Sequence, residues 1–119
     1  MLADLFNCDP GLLNDREIVE AALSAAAHAA GATIVKRDVH QFQPHGITGI
    51  AILAESHLAI HTWPEHAYAT VDIFACGETA TPDSAIDAVA DIFKPTSVTR
   101  CRFQRGEEAL TPVVGDTRR

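Results

Sequence analysis

Residues 32–63 read ATIVKRDVHQFQPHGITGIAILAESHLAIHTW, and this stretch decides the fold. Its first arm, residues 32–43, is β-branched and alternating; it breaks at Pro44-His45-Gly46 and returns through ITGIAILAE at 47–55. Proline fixes φ and glycine admits left-handed backbone, so the break punctuates two strands and makes a hairpin. The return arm is expected to continue through HLAIHTW to Pro64, whose missing N–H ends a ladder.

Working outward, residues 1–6 form an apolar run that predicts a first strand, and NCDPG at 7–11 predicts a loop. Asn14 is placed to cap a helix, with Glu17 three residues on to complete a capping box. Ile18, Val19, Ala22, Leu23, Ala26 and Ala30 then recur at helical spacing, and Gly31 stands where a left-handed cap is wanted. Downstream, ATVDIFACG at 69–77 predicts another strand. Thr81 and Pro82 open a second helix with Ile86, Val89, Ala90 and Phe93 on one face. SVTRCRFQR at 97–105 is the last predicted strand, and GDTRR at 115–119 a frayed tail.

This order implies an α+β two-layer sandwich, a mostly antiparallel sheet with both helices on one face. Two helices leave the other face to water or to a second subunit. Its alanines, apolar residues and histidines favour the subunit, which would make a four-layer αββα dimer.

With 119 residues the chain is expected to be a single domain, residues 1–119. Hydrophobic residues at 47% and charged ones at 21% exclude a disordered chain, and no apolar run approaches a bilayer span, so no membrane partner is expected. The start, MLADLFNCDP, has no basic lead of the kind a signal peptide carries. Cys8, Cys76 and Cys101 are far apart and include no C-x-x-C, so free thiols and a cytoplasmic location are expected. A net charge of −7 disfavours nucleic acid and leaves a small or cationic substrate as the better fit.

Strand parity poses a question within this frame. Leu58 and Ile60 point beneath the helices, whereas His57, Ala59, His61 and Trp63 point away. Ser56 has the opposite parity from His61, so cooperation between them needs a bulge, a bend or a break near Glu55-Ser56. Three readings are open. The serine is an ordinary strand-end hydroxyl and the histidines are solvated or locally hydrogen-bonded. Alternatively, His57, His61, Glu65 and His66 bind a metal, although an i,i+4 pair on a strand lies about 13 Å apart and no metal is expected. Or Ser56 is a nucleophile, although AESHL lacks the small flanking residues of a G-x-S-x-G elbow.

The segments ESHLAIHTWPE (55–65) and VDIFACG (71–77) resemble the signature of the prokaryotic S-adenosylmethionine decarboxylase proenzymes, which are pyruvoyl-dependent enzymes of polyamine synthesis. ADLFNCDPGLLND (3–15) resembles that family's opening, and GATIVKRDVHQFQPHGITGIAILAESH (31–57) its central hairpin. The resemblance covers nearly the whole chain. It departs at the start, where family members usually run several residues further upstream of the first strand.

The resemblance implies that Ser56 is the precursor of a prosthetic group. Its Oγ attacks the Glu55 carbonyl, and the peptide bond becomes an ester. β-Elimination leaves dehydroalanine, which hydrolyses to a pyruvoyl group and ammonia. The products are residues 1–55 (β chain) and 56–119 (α chain). The pyruvoyl ketone forms a Schiff base with the substrate amine and acts as the electron sink for decarboxylation to S-adenosylmethioninamine, a spermidine precursor.

By the same resemblance His61 is the acid/base of self-cleavage and Cys76 the proton donor to the substrate carbon. Thr48 supports processing, and an ordinary ladder role stands beside that one. Phe42 stacks on adenine, while Trp63 and Glu65 serve the sulfonium cation and the sugar hydroxyls; packing is the alternative for the two rings. His57 orients the cut. Cys8 and Cys101 are read as buried core thiols. Two other functions remain open: a pyruvoyl-dependent arginine or ornithine decarboxylase, and an unprocessed, non-enzymatic α/β module. Phe42 favours the adenosyl substrate, because an amino acid without a base has no use for a stacking ring.

Overall fold

A computed structural model describes residues 1–75 and 81–103. The expectations for Cys76 and Gly77, for the last strand beyond residue 103 and for the tail at 115–119 lie outside the described residues. The elements run β1 (Leu2–Phe6), α1 (Pro10–Leu13), α2 (Arg16–Ala29), β2 (Ile34–Gln41), β3 (Ile47–Leu53) and β4 (Ser56–Trp63). A 3₁₀ turn (Pro64–His66), β5 (Tyr68–Ala75), α3 (Pro82–Phe93) and β6 (Ser97–Cys101) follow.

The six strands form one sheet in the order β2-β3-β4-β5-β1-β6, and every neighbouring pair is antiparallel. The α2 and α3 helices cover one face, which is the two-layer arrangement expected. Val19, Ala22, Leu23 and Ala26 of α2, with Ile86, Val89 and Phe93 of α3, bury against Leu5, Ala51, Leu58, Ile60 and Val71 of the sheet. Close approach of α2 explains Gly49 on β3. A Cβ there would stand 2.9 Å from Leu23 Cδ1 and 3.3 Å from Val19 Cγ1, inside the usual contact range. Among the described residues no helix is long and apolar enough to cross a membrane.

Two local expectations are corrected, and both corrections shape the site. Residues 47–63 are not one return strand: the chain reverses at Ala54-Glu55, and β3 pairs with β4 from Ile52↔His57 to Ile47↔Thr62. A single strand of that length would run about 56 Å at roughly 3.3 Å per residue. The molecule's longest dimension is 43 Å, so folding back is the compact way to pair its backbone groups. The second correction concerns the helix cap, which is Asp15. Its carboxylate accepts from the N–H groups of Glu17 (3.0 Å) and Ile18 (3.3 Å). Asn14 is drawn elsewhere, its Oδ1 accepting the Gly46 N–H at 3.0 Å.

NCDPG, read as loop, leads into the short α1, whose Asp9 carboxylate caps the Gly11 N–H at 3.0 Å. Gly31 does take the left-handed conformation at the end of α2, with φ of 74°.

Candidate active site

Parity along β4 is as expected. Leu58, Ile60 and Thr62 are buried beneath the helices, while His57, Ala59, His61 and Trp63 lie on the outer face. The chain does turn at Ala54-Glu55, but β4 runs in unbroken register from Ser56, so the turn does not bring Ser56 to His61.

At the turn end, two hydrogen bonds to Thr33 fix the bond between Glu55 and Ser56. The Thr33 N–H donates to Glu55 Oε1 at 3.2 Å, and the Ala54 N–H donates to the Thr33 carbonyl at 2.9 Å. Glu55 and Ser56 are both half-buried. Ser56 Oγ lies 3.3 Å from His57 Nδ1, and the His57 ring is tilted against Phe74 with centroids 5.9 Å apart. Across the ladder Ser56 faces Ala75 on β5, and Cys76, the next residue in sequence, is outside the described residues.

At the other end of β4 a cleft of about 350 Å³ opens, bounded by Phe42, Thr48, His61, Trp63 and Glu65, with His45 at its mouth. Thr48 and His61 face each other in register, and Thr48 Oγ1 is 3.0 Å from His61 Nδ1. Trp63 stacks obliquely between His61 (6.3 Å) and Tyr68 (5.3 Å), and Phe42 takes the edge of His40 at 4.6 Å. Phe42 is 47% exposed and Trp63 38% exposed, so the core does not enclose these rings and part of each is open to a ligand. Tyr68 donates to Asp4 at 2.8 Å; burial, and then the Asp4 carboxylate, push its phenol up to about 12, so it stays protonated near neutrality.

The fold thus gathers Phe42, Thr48, His61, Trp63 and Glu65, and it does not gather Ser56 with them. Five residue steps of extended strand separate Ser56 from His61, roughly 16 Å. Cys8 is buried as expected, and desolvation raises its thiol to about 11. Cys101 is not a core thiol, because β6 is an edge strand and Cys101 is exposed on it. Reading the sequence did not reveal His45 as part of this cleft or Asn14 as the brace of the turn that carries it. Pro44-His45-Gly46 looked like turn punctuation, and a turn's partner across space leaves no local signal.

Residues 1–106 match the family model for S-adenosylmethionine decarboxylase. Among curated relatives, an S-adenosylmethionine decarboxylase proenzyme of Methanococcus aeolicus is 43% identical over 106 residues, covering 89% of this chain and 91% of its own. One from Acidithiobacillus ferrooxidans is 42% identical over 107 residues, covering 90% and 80%. Among solved structures, the crystal structure of the adenosylmethionine decarboxylase from Aquifex aeolicus superposes with a TM-score of 0.76 at 39% identity, over 82% of this chain and 81% of that one. The match in sequence over residues 1–106 and the match in fold show that the chain belongs to the S-adenosylmethionine decarboxylase family.

Proposed function

We propose that the chain is a self-processing proenzyme that cuts itself between Glu55 and Ser56 and then decarboxylates S-adenosylmethionine to S-adenosylmethioninamine. The observation that carries this reading is the placement of the Glu55–Ser56 bond. It lies at the β3–β4 turn, whose Glu55 Oε1 and Ala54 N–H both bond to Thr33, and the Ser56 hydroxyl follows it directly in the chain. An intramolecular acyl shift requires the serine Oγ to reach the preceding carbonyl carbon, and a braced turn limits the conformations that Glu55 and Ser56 sample around that bond. In that shift the new C–O bond forms as the C–N bond breaks, and the freed amine takes the hydroxyl proton.

Ser56 also fits a pyruvoyl group as its product. It is the first residue of β4, so a new chain end there costs no ladder pairing downstream, and the pairs from His57↔Phe74 to Trp63↔Tyr68 remain. The pyruvoyl group would supply an electron-accepting ketone beside an amide carbonyl, which is what stabilises the charge left when carbon dioxide departs. Ser56 would carry the group, and His57 would orient it. The chain's remaining residues bind and move protons. Phe42 and Trp63 receive the adenine and the sulfonium, Glu65 the sugar hydroxyls, His61 exchanges the processing proton, and Cys76 protonates the product carbon.

The distance between Ser56 and His61 makes the proposal specific. Neither reaches the other along one β4, so His61 of the partner subunit acts on the turn when two outer faces stack as an αββα dimer. The free thiols Cys8 and Cys101 suit a reducing compartment, the cytoplasm.

Intact-mass spectrometry of the purified protein tests the reading. Two fragments are expected, 1–55 and 56–119, the second lighter by one ammonia than a chain that begins with serine. Ser56→Ala should leave one inactive chain. Two fragments from that variant would mean proteolysis and would end the proposal.

A further inference from the structure

Two lips bound the cleft that contains His61: the β2–β3 turn and the 3₁₀ turn that follows β4. The first lip is fixed at its root. The Phe42 N–H donates to the Gly46 carbonyl at 2.8 Å and closes the turn. Gly46 N–H donates to Asn14 Oδ1 at 3.0 Å, and Gln41 Nε2 donates to the Asn14 carbonyl at 3.0 Å. Gly46 takes φ of 103°, where a side chain is strained, and a Cβ would meet the Thr62 carbonyl at 3.3 Å. The turn is therefore a braced arm that delivers Phe42 at its base and His45 at its tip.

His45 crosses the mouth of the cleft. Its Nε2 lies 3.1 Å from Glu65 Oε1 on the opposite lip. An imidazole with its proton on Nε2 donates this bond whether or not Nδ1 also carries one. Both side chains are more than a third exposed, at 39% and 37%, and pairs so exposed contribute little to stability. The effect of the bond is on direction: a glutamate free to sample its rotamers is held in one of them, and the ordering cost is met before a ligand arrives.

We infer that His45 is a positioning residue for substrate recognition, holding the Glu65 carboxylate across the mouth of the Phe42–Trp63 cleft so that it meets the cis-hydroxyl pair of a nucleoside sugar. The inference rests on reading that cleft as the S-adenosylmethionine site. It gives the chain a way to favour nucleoside-bearing amines over plain amino acids, because a carboxylate with two acceptor oxygens matches two adjacent hydroxyls.

The test compares processed wild-type protein with His45→Ala, His45→Gln, Glu65→Ala and the double variant His45→Ala/Glu65→Ala. Steady-state decarboxylation is measured beside calorimetric binding of 5′-methylthioadenosine and its 2′-deoxy counterpart, which lack the reacting amine. His45→Ala should raise KM and weaken methylthioadenosine binding about two- to fivefold, with kcat changed by less than about 1.5-fold. Preference for the ribose over the deoxyribose probe should shrink in the same variant. His45→Gln, whose amide can donate to Glu65, should recover most of the loss, and the double variant should be no worse than Glu65→Ala. If the alanine variant is unstable, His45→Phe carries the same expectation, since it keeps the ring and removes the donor.

Weakening in Glu65→Ala with unchanged binding in His45→Ala would overturn the role of His45 and leave the cleft assignment standing. Additive losses in the double variant would also overturn it. Wild-type protein that decarboxylates no S-adenosylmethionine and binds neither probe would overturn the cleft assignment and the inference together.

Discussion

Thr48 and His61 stand opposite each other on β3 and β4, with the threonine Oγ1 3.0 Å from the imidazole Nδ1. The bond occupies one ring nitrogen and leaves Nε2 as the one that can exchange a proton with anything arriving on the outer face. When Nδ1–H donates to the hydroxyl, Nε2 is a base. When the hydroxyl donates to Nδ1, Nε2 carries the proton. A threonine rotor accommodates both states, which is what a group that takes and returns a proton during self-cleavage needs.

Substitution at Thr48 separates this role from simple ladder packing. Thr48→Val preserves shape and β-branching but removes the bond, and should slow conversion to the two fragments by about tenfold or more. Thr48→Ser should process close to the wild-type rate, while His61→Ala should remain unprocessed. A time course by mass spectrometry after synthesis reads all three. Normal processing in Thr48→Val would reduce the pair to a structural contact.

Cys76 should divide making the prosthetic group from using it. Protonation of the product carbon comes after the chain has been cut, so Cys76→Ala should still yield two fragments while turnover falls. Protonation at the wrong carbon would transfer the amine to the cofactor and inactivate it, so the loss of activity should grow with each turnover. Progress curves that bend early, with the modified terminus visible by mass, are the expected signature. Linear curves at full rate would remove Cys76 from the mechanism.

Gly49 tests how tightly α2 is seated on the sheet. An added methyl would stand 2.9 Å from Leu23 Cδ1 inside a core where Leu23 has no exposed surface. Gly49→Ala should therefore lower stability by about 1–3 kcal/mol through overpacking, read as a fall in Tm. A Tm equal to wild type would show that α2 can lift off β3 without cost.

Local periodicity made much of this fold legible. The period of two on β4 put His57, His61 and Trp63 on one face, and the 3.6 period placed Val19, Leu23, Ile86 and Phe93 inward. What escaped were features decided by partners distant in sequence. Nothing in Ala54-Glu55 marks a turn, since neither residue is Gly, Pro, Asn or Asp; the reversal is held by Thr33, some twenty residues earlier. Asn14 and Asp15 are both good caps, and the choice fell to Asp15 because Gly46 engages Asn14. The separation of Ser56 from His61 was legible in the sequence. Their opposite parity and the rise of a strand already set them apart, because closeness in sequence along a strand is distance in space.

That separation leads to the last prediction. The outer face exposes Ile50 and Ile52 of β3, Leu2 and Phe6 of β1 and Trp63 of β4, an apolar surface on a chain of net charge −7. Two such faces stacked should bury about 2,000 Å² or more in total, enough for a dimer that survives dilution. Ile50 stands opposite Ala59, which in turn faces Asp72. Ile50 also pairs with Asp38 on β2, so Ile50→Glu adds a negative charge to the contact beside a carboxylate already there, and burying both is costly. Light scattering should show a dimer for the wild type and a monomer for Ile50→Glu. Because a single β4 cannot bring His61 to its own Ser56, the monomeric variant should also remain uncut. Wild-type protein that is monomeric and fully processed, or an Ile50→Glu monomer that cuts itself at the normal rate, would require the proton to be handled within one chain. His57, 3.3 Å from Ser56 Oγ, would then be the residue to test first.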